Sequence, residues 1–158
     1  MMNRLKDIRE DTNTSQDSLA KLIGLNRSAI SRYETEESDI PPKYLVIICD
    51  YFKISVDYLL YFTDDKKPHS FVNNNSFNNR LKELRKSKNI TQIELSKKLN
   101  IIQSGYSKYE IGKNDIPTNI LKKLSDYYNV SIDYILCRTE NKSKYSNSIF
   151  KNDKETES

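Results

Sequence analysis

The chain has 158 residues, 30% of them charged, a formal net charge of +4, two cysteines and a single histidine. Cys49 and Cys137 do not match in the internal repeat described below, and no Cys/His cluster exists, so neither a disulfide framework nor structural zinc is expected. No run reaches membrane length and no basic start leads into a long apolar stretch, so the expectation is a reduced, cytoplasmic protein with no membrane partner and no cofactor.

The chain repeats itself. Arg4 to Leu60 lies over Arg80 to Leu136 without a gap, with 22 identities in 57 positions. Only two units occur and polar filler joins them, so this is a domain duplication and not a solenoid. The expected boundaries are a first domain at 1–62, a flexible linker at 63–79, a second domain at 80–138 and a disordered tail at 139–158. Charge divides unevenly. Residues 1–62 hold 8 Lys/Arg against 10 Asp/Glu, a net of −2, whereas residues 80–138 hold 12 against 6, a net of +6. The second unit has the positive field suited to a polyanion; the first does not.

In the first unit, "NRLKDIREDT" has Leu5 and Ile8 on one helical face, with Asn3 as a cap. "SQDSLAKLIG" follows, with Ser15 as its cap, Leu19 and Leu22 facing inward, and Gly24 in a tight turn of positive φ. "NRSAISRYE" is a third helix whose apolar residues are Ala29, Ile30 and Tyr33, and "SDIPP" breaks it. "KYLVIICDYFKI" and "SVDYLLYF" are the fourth and fifth, the last capped by Ser55.

The filler "TDDKKPHSFVNNNSFNN" is polar, aperiodic and reads as flexible; His69, Phe71, Val72 and Phe77 lie in it. The second unit then repeats the five helices as "NRLKELRKSK", "TQIELSKKLN", "QSGYSKYE", "TNILKKLSDYYNV" and "SIDYILC". Asn100 replaces the turn glycine and tolerates the left-handed region better than most residues. Gly105 inside the third helix weakens it by roughly 0.5–1 kcal/mol relative to alanine. The fold class is therefore all-α, two tandem five-helix domains joined by a flexible linker.

"QDSLAKLIGLNRSAISRYE" with "IP" and "VDYLLY", and "QIELSKKLNIIQSGYSKYEIGKNDIP" with "SIDYIL", closely resemble the lambda-repressor-like, Cro-type helix-turn-helix family, often called XRE-like. The resemblance implies sequence-specific binding of double-stranded DNA by a transcriptional repressor or regulator. Its third helix enters the major groove while the second braces across the backbone. Carried over by position, Asn26, Arg27, Ser28 and Arg32 face the bases in the first unit, and Ile102, Gln103, Ser104 and Lys108 in the second. Arginine suits a guanine edge and glutamine an adenine edge. Gln16 and Gln92 hold backbone phosphate, helped by Ser15, Thr91 and Lys113. Arg9 pairs with Glu34, and Arg85 with Glu110, inside each domain.

The first unit departs from the pattern. Where the second has "IGKND" with Lys113, the first has "TEESD", and Glu36 and Glu37 would face phosphate. That leaves a second reading, in which the acidic first domain contacts protein and the chain is an antagonist or co-regulator of another helix-turn-helix regulator. A homodimer is the other protein partner considered, with Tyr58, Tyr61 and Phe62 as one candidate surface. No nucleophile or carboxylate pair supports an enzyme.

Overall fold

The computed structural model describes residues 2–67 and 78–145. The chain divides into two compact units, each with five helices in the same order. The first contains α1 (Leu5–Asp11), α2 (Gln16–Ile23), α3 (Arg27–Glu34), α4 (Pro42–Phe52) and α5 (Val56–Leu59). The second contains α6 (Leu81–Ser87), α7 (Gln92–Leu99), α8 (Gln103–Glu110), α9 (Thr118–Tyr128) and α10 (Ile132–Ile135). Among the described residues there is no strand, so the tandem all-α reading holds. No described helix is long and apolar enough to cross a membrane. The middle of the expected linker, with His69, Phe71, Val72 and Phe77, and the tail beyond Tyr145 lie outside the described residues.

Polar side chains start the helices by accepting bonds from otherwise free amides. Ser15 accepts from Ser18 N at 3.0 Å, and Ser55 and Ser131 accept from the amides of Tyr58 and Tyr134. Thr91 and Glu94 cap each other's backbone reciprocally. Asn3 and Asn79 act one position outside the cap: their Oδ1 atoms accept from the amides of Leu5 and Leu81. Their Nδ2 atoms donate to the carbonyls of Tyr33 and Tyr109, tying the first helix of each unit to the end of the third. The turn between the second and third helices is left-handed in both, with φ of 74° at Gly24 and 55° at Asn100.

Each core is assembled from positions in register. Leu5, Leu19, Ile30, Leu45, Ile48 and Leu59 are fully buried, and so are their counterparts Leu81, Leu95, Tyr106, Leu121, Leu124 and Ile135. Burying each such side chain contributes about 1.5–3 kcal/mol. Leu22 differs from expectation: it is 49% exposed. The buried stripe of α2 is Leu19, Ala20 and Ile23, and that spacing turns Leu22 outward. Its counterpart Lys98 is exposed as well.

The edges of both units also differ from expectation. The Arg4 guanidinium donates to the carbonyls of Tyr58 (2.5 Å) and Thr63 (2.9 Å) and to the Asp64 carboxylate (2.6 Å). It also lies over the Tyr58 and Tyr61 rings at 4.3 and 4.0 Å, so those rings are engaged within their own unit. Arg80 repeats this clamp on the carbonyls of Tyr134 (2.7 Å) and Thr139 (2.8 Å), the Glu140 carboxylate and the Tyr134 ring. Thr63 and Thr139 are buried by it, the first inside the expected linker and the second inside the expected tail. Beyond Thr139, Ser131 N donates to the Lys142 carbonyl at 3.2 Å and Lys144 pairs with Asp126 at 2.6 Å. Hydrogen bonds thus carry the first unit past Phe62 to Asp64, and the second past Arg138 to Lys144.

Candidate nucleic-acid interface

In the first unit Arg9 of α1 grips Glu34 at the end of α3 with two prongs, Nε to Oε1 at 2.6 Å and Nη2 to Oε2 at 3.2 Å. Its remaining Nη1 donates to the Thr14 carbonyl just ahead of α2, at 2.8 Å. One guanidinium therefore ties α1, the approach to α2 and the end of α3. The Glu34 side chain is only 4% exposed. Arg85 does the same with Glu110 (2.9 and 2.8 Å) and the Ile90 carbonyl (3.0 Å). Hydrogen bonding to the carboxylates holds both guanidinium groups above their ordinary pKa. Burial pushes the Glu110 carboxyl up, but the bonds and charge of Arg85 bring it below the usual carboxylate value.

Gln16, the first residue of α2, extends the pair outward. Its Nε2 donates to Glu34 Oε2 at 2.8 Å, and its Oε1 accepts from Arg27 Nε at 3.2 Å. In the second unit the outer link recurs: Gln92 Oε1 accepts from Gln103 Nε2 at 2.8 Å. An ionised carboxylate only accepts, so Gln16 must turn its NH2 toward Glu34 and its oxygen toward α3, and Gln92 likewise offers its oxygen to α8. The result in the first unit is a relay from the buried ion pair, through a half-buried glutamine, to the exposed first residue of the third helix, and the second unit repeats its outer link. The sequence reading identified every member of this relay but not the link between them. The recurring 11-residue step, Gln16 to Arg27 and Gln92 to Gln103, is its visible trace.

Asn26, Arg27, Ser28 and Arg32 are all exposed, as are Gln103, Ser104, Lys108 and Lys113. Several of them also serve the protein. The Asn26 oxygen caps α3, accepting from Ala29 N at 2.9 Å and from the Ser28 hydroxyl at 2.8 Å. The Ser15 hydroxyl donates to Ser18, and the Thr91 hydroxyl donates to Glu94. Arg27 has a carboxylate neighbour in Asp17 at 3.8 Å.

The two faces differ in charge at matched positions. Glu10, Asp17, Glu36 and Glu37 of the first unit stand where the second has Lys86, Ile93, Gly112 and Lys113. Glu36 adopts a φ of 63°, the left-handed conformation that Gly112 takes at 70° without strain. The acidic loop of the first unit thus keeps the backbone of its basic counterpart.

The helix-turn-helix family model matches twice, over residues 5–59 and 81–135. The HTH-type transcriptional regulator ImmR of Bacillus subtilis is 46% identical over 65 residues, 41% of this chain and 51% of that protein. The uncharacterized HTH-type transcriptional regulator YobD of Bacillus subtilis is 37% identical over 65 residues, 41% of this chain and 58% of its own length. The HTH-type transcriptional activator BcrR of Enterococcus faecalis is 38% identical over 64 residues, 40% of this chain and 31% of its own length. The chain thus spans little more than half the length of the first two of these curated relatives. No solved structure matches it. The two family matches fall on α1–α5 and α6–α10, and the chain belongs to the helix-turn-helix family of the Cro and lambda-repressor type.

Proposed function

We propose that the chain binds double-stranded DNA in a sequence-specific manner and regulates transcription, acting as a repressor by occupying its site. The observation that carries this reading is the glutamine link repeated at the start of each third helix, Gln16–Arg27 and Gln92–Gln103, which in the first unit continues inward to Glu34. It mounts an exposed polar side chain on a half-buried glutamine, so the group that meets a base edge is oriented before binding. Arg27 keeps donors for a guanine edge. Gln103 spends one N–H on Gln92 and keeps its oxygen and its second N–H, the pair an adenine edge requires. Asn26, Ser28, Arg32, Ser104 and Lys108 extend base contact along the two helices. Gln16, Gln92, Ser15, Thr91 and Lys113 meet backbone phosphate, the first four beside the free amides that open α2 and α7. The compartment that goes with this role is the cytoplasm, and a second copy or another helix-turn-helix regulator is its protein partner.

Selection of bound sequences from random duplex DNA tests the reading. Two unlike half-sites are expected, with Arg27→Ala and Gln103→Ala each relaxing the preference at one base position by roughly 1–3 kcal/mol. No enrichment of any sequence would overturn it. A second reading has its own support in Glu36 and Glu37, where the first unit would meet phosphate. There the first unit binds a basic protein surface, and Arg27→Ala disrupts a protein complex instead of a DNA preference.

A further inference from the structure

Ile102 is 78% exposed, the most exposed large apolar side chain among the described residues. It stands at the N-cap of α8 and makes no side-chain capping bond. Both features cost stability. Isoleucine is among the poorest N-cap residues, and an isoleucine in water forgoes the gain from burial. The first unit shows the alternative at the same position, where Asn26 caps α3 through its side chain. The next residue but two, Gly105, has no Cβ, and a Cβ built there would meet nothing within 4 Å, so nothing on that turn covers Ile102.

A residue that gives up a cap and exposes an isobutyl-sized group, directly before Gln103, breaks the local rules at the place where the proposed interface reads bases. In the major groove the apolar feature that distinguishes one base from the others is the C5-methyl group of thymine. The occupant is a DNA group and not another protein because the unit that carries it is cationic, with Lys108 exposed on the same helix, Lys113 exposed in the loop that follows, and a net charge of +6 over residues 80–138. Gln103 is itself held by Gln92 at 2.8 Å, so the backbone that presents Ile102 is fixed in register with an adenine-reading side chain.

We infer that Ile102 is a specificity residue that packs on the methyl group of a thymine in the second unit's half-site, next to the base read by Gln103. The inference rests on the DNA-binding reading above. It gives the second unit a preference for adjacent A·T pairs, whereas the first unit, with Asn26 and Arg27 at the matched positions, has none from this source.

The test uses the full chain and a duplex enriched from the random pool, with each thymine replaced in turn by deoxyuridine, which lacks only the methyl group. At one thymine, removal of the methyl should weaken wild-type binding roughly three- to five-fold, the effect of one methyl group leaving a buried contact. Ile102→Asn should bind the thymine and uracil forms of that position equally. It should also melt at a temperature equal to or above wild type, because asparagine restores the cap. Opposite movement of stability and methyl sensitivity separates a reading role from a structural one. Wild type that binds the duplex but ignores every thymine replacement would overturn the inference and leave the DNA reading standing. So would a change in self-association on Ile102→Asn with methyl sensitivity intact. Failure to enrich or bind any duplex overturns both.

Discussion

Each position in one unit has a natural control in the other, and the buried phenols of the second unit show what that comparison yields. Tyr106 and Tyr128 replace Ile30 and Phe52, and neither hydroxyl has a hydrogen bond of normal geometry. Burial pushes both phenols far above their ordinary pKa, with the Glu110 charge adding to the effect on Tyr106. A buried hydroxyl without a partner costs about 1–3 kcal/mol, while a ring of the same shape without it does not. Tyr128→Phe copies the first unit and should stabilise the second by about 1 kcal/mol in a denaturant titration followed by hydrogen exchange. A loss of stability would mean that the hydroxyl holds a buried water. At this scale the sequence is legible where a role leaves two marks. The Arg9–Glu34 and Arg85–Glu110 pairs follow from the resemblance because both partners are side chains. The Arg4 and Arg80 clamps do not, because two of the three hydrogen bonds described for each go to backbone carbonyls, which leave no trace in residue type.

At the scale of elements, helix starts are written in the sequence and helix faces less so. The serine caps Ser15 and Ser55 stand where expected, Asn3 acts one position outside its expected place, and the left-handed turns at Gly24 and Asn100 are present. The apolarity of leucine points Leu22 inward, yet the stripe formed by Leu19, Ala20 and Ile23 already makes the buried face of α2. Ion pairs add to the apolar core of the second unit, and they give it a pH dependence of known sign. Glu110 and Asp126 are pushed up by burial and brought down further by their partners, Arg85 for the first and Lys122 and Lys144 for the second. Their folded pKa values lie below the unfolded ones. Their stabilisation is therefore complete above about pH 4.5 and is lost as the pH falls through the folded values. Glu110→Gln should destabilise the second unit by roughly 3 kcal/mol at neutral pH, since it leaves Arg85 half-paired. The gap between variant and wild type should narrow toward pH 3. A gap that stays constant from pH 7 to pH 3 would show that the ionised pair is not what joins α6 to α8.

At the scale of the molecule, the duplication and its charge asymmetry are legible from composition alone, whereas the edges of the units are not. The Arg4 and Arg80 clamps reach about 60 residues along the chain to segments that read as linker and tail because they are polar. The asymmetry itself bears on whether the first unit would meet DNA at all. Glu36 and Glu37 occupy the backbone conformation in which the second unit presents Gly112 and Lys113. Copying those residues, as Glu36→Gly with Glu37→Lys, changes the loop's charge by three without asking for a new backbone. The glycine also removes the strain of a left-handed glutamate, worth about 1 kcal/mol of stability. If the first unit lies against phosphate, the double variant should bind the selected duplex more tightly, with a salt dependence steeper by about one unit of slope from the added lysine. Titration at two salt concentrations reads both quantities. Stability that rises while affinity and slope stay at wild type would place the acidic loop away from DNA. The first unit would then be the part that meets protein, and the second would supply the salt-sensitive binding alone.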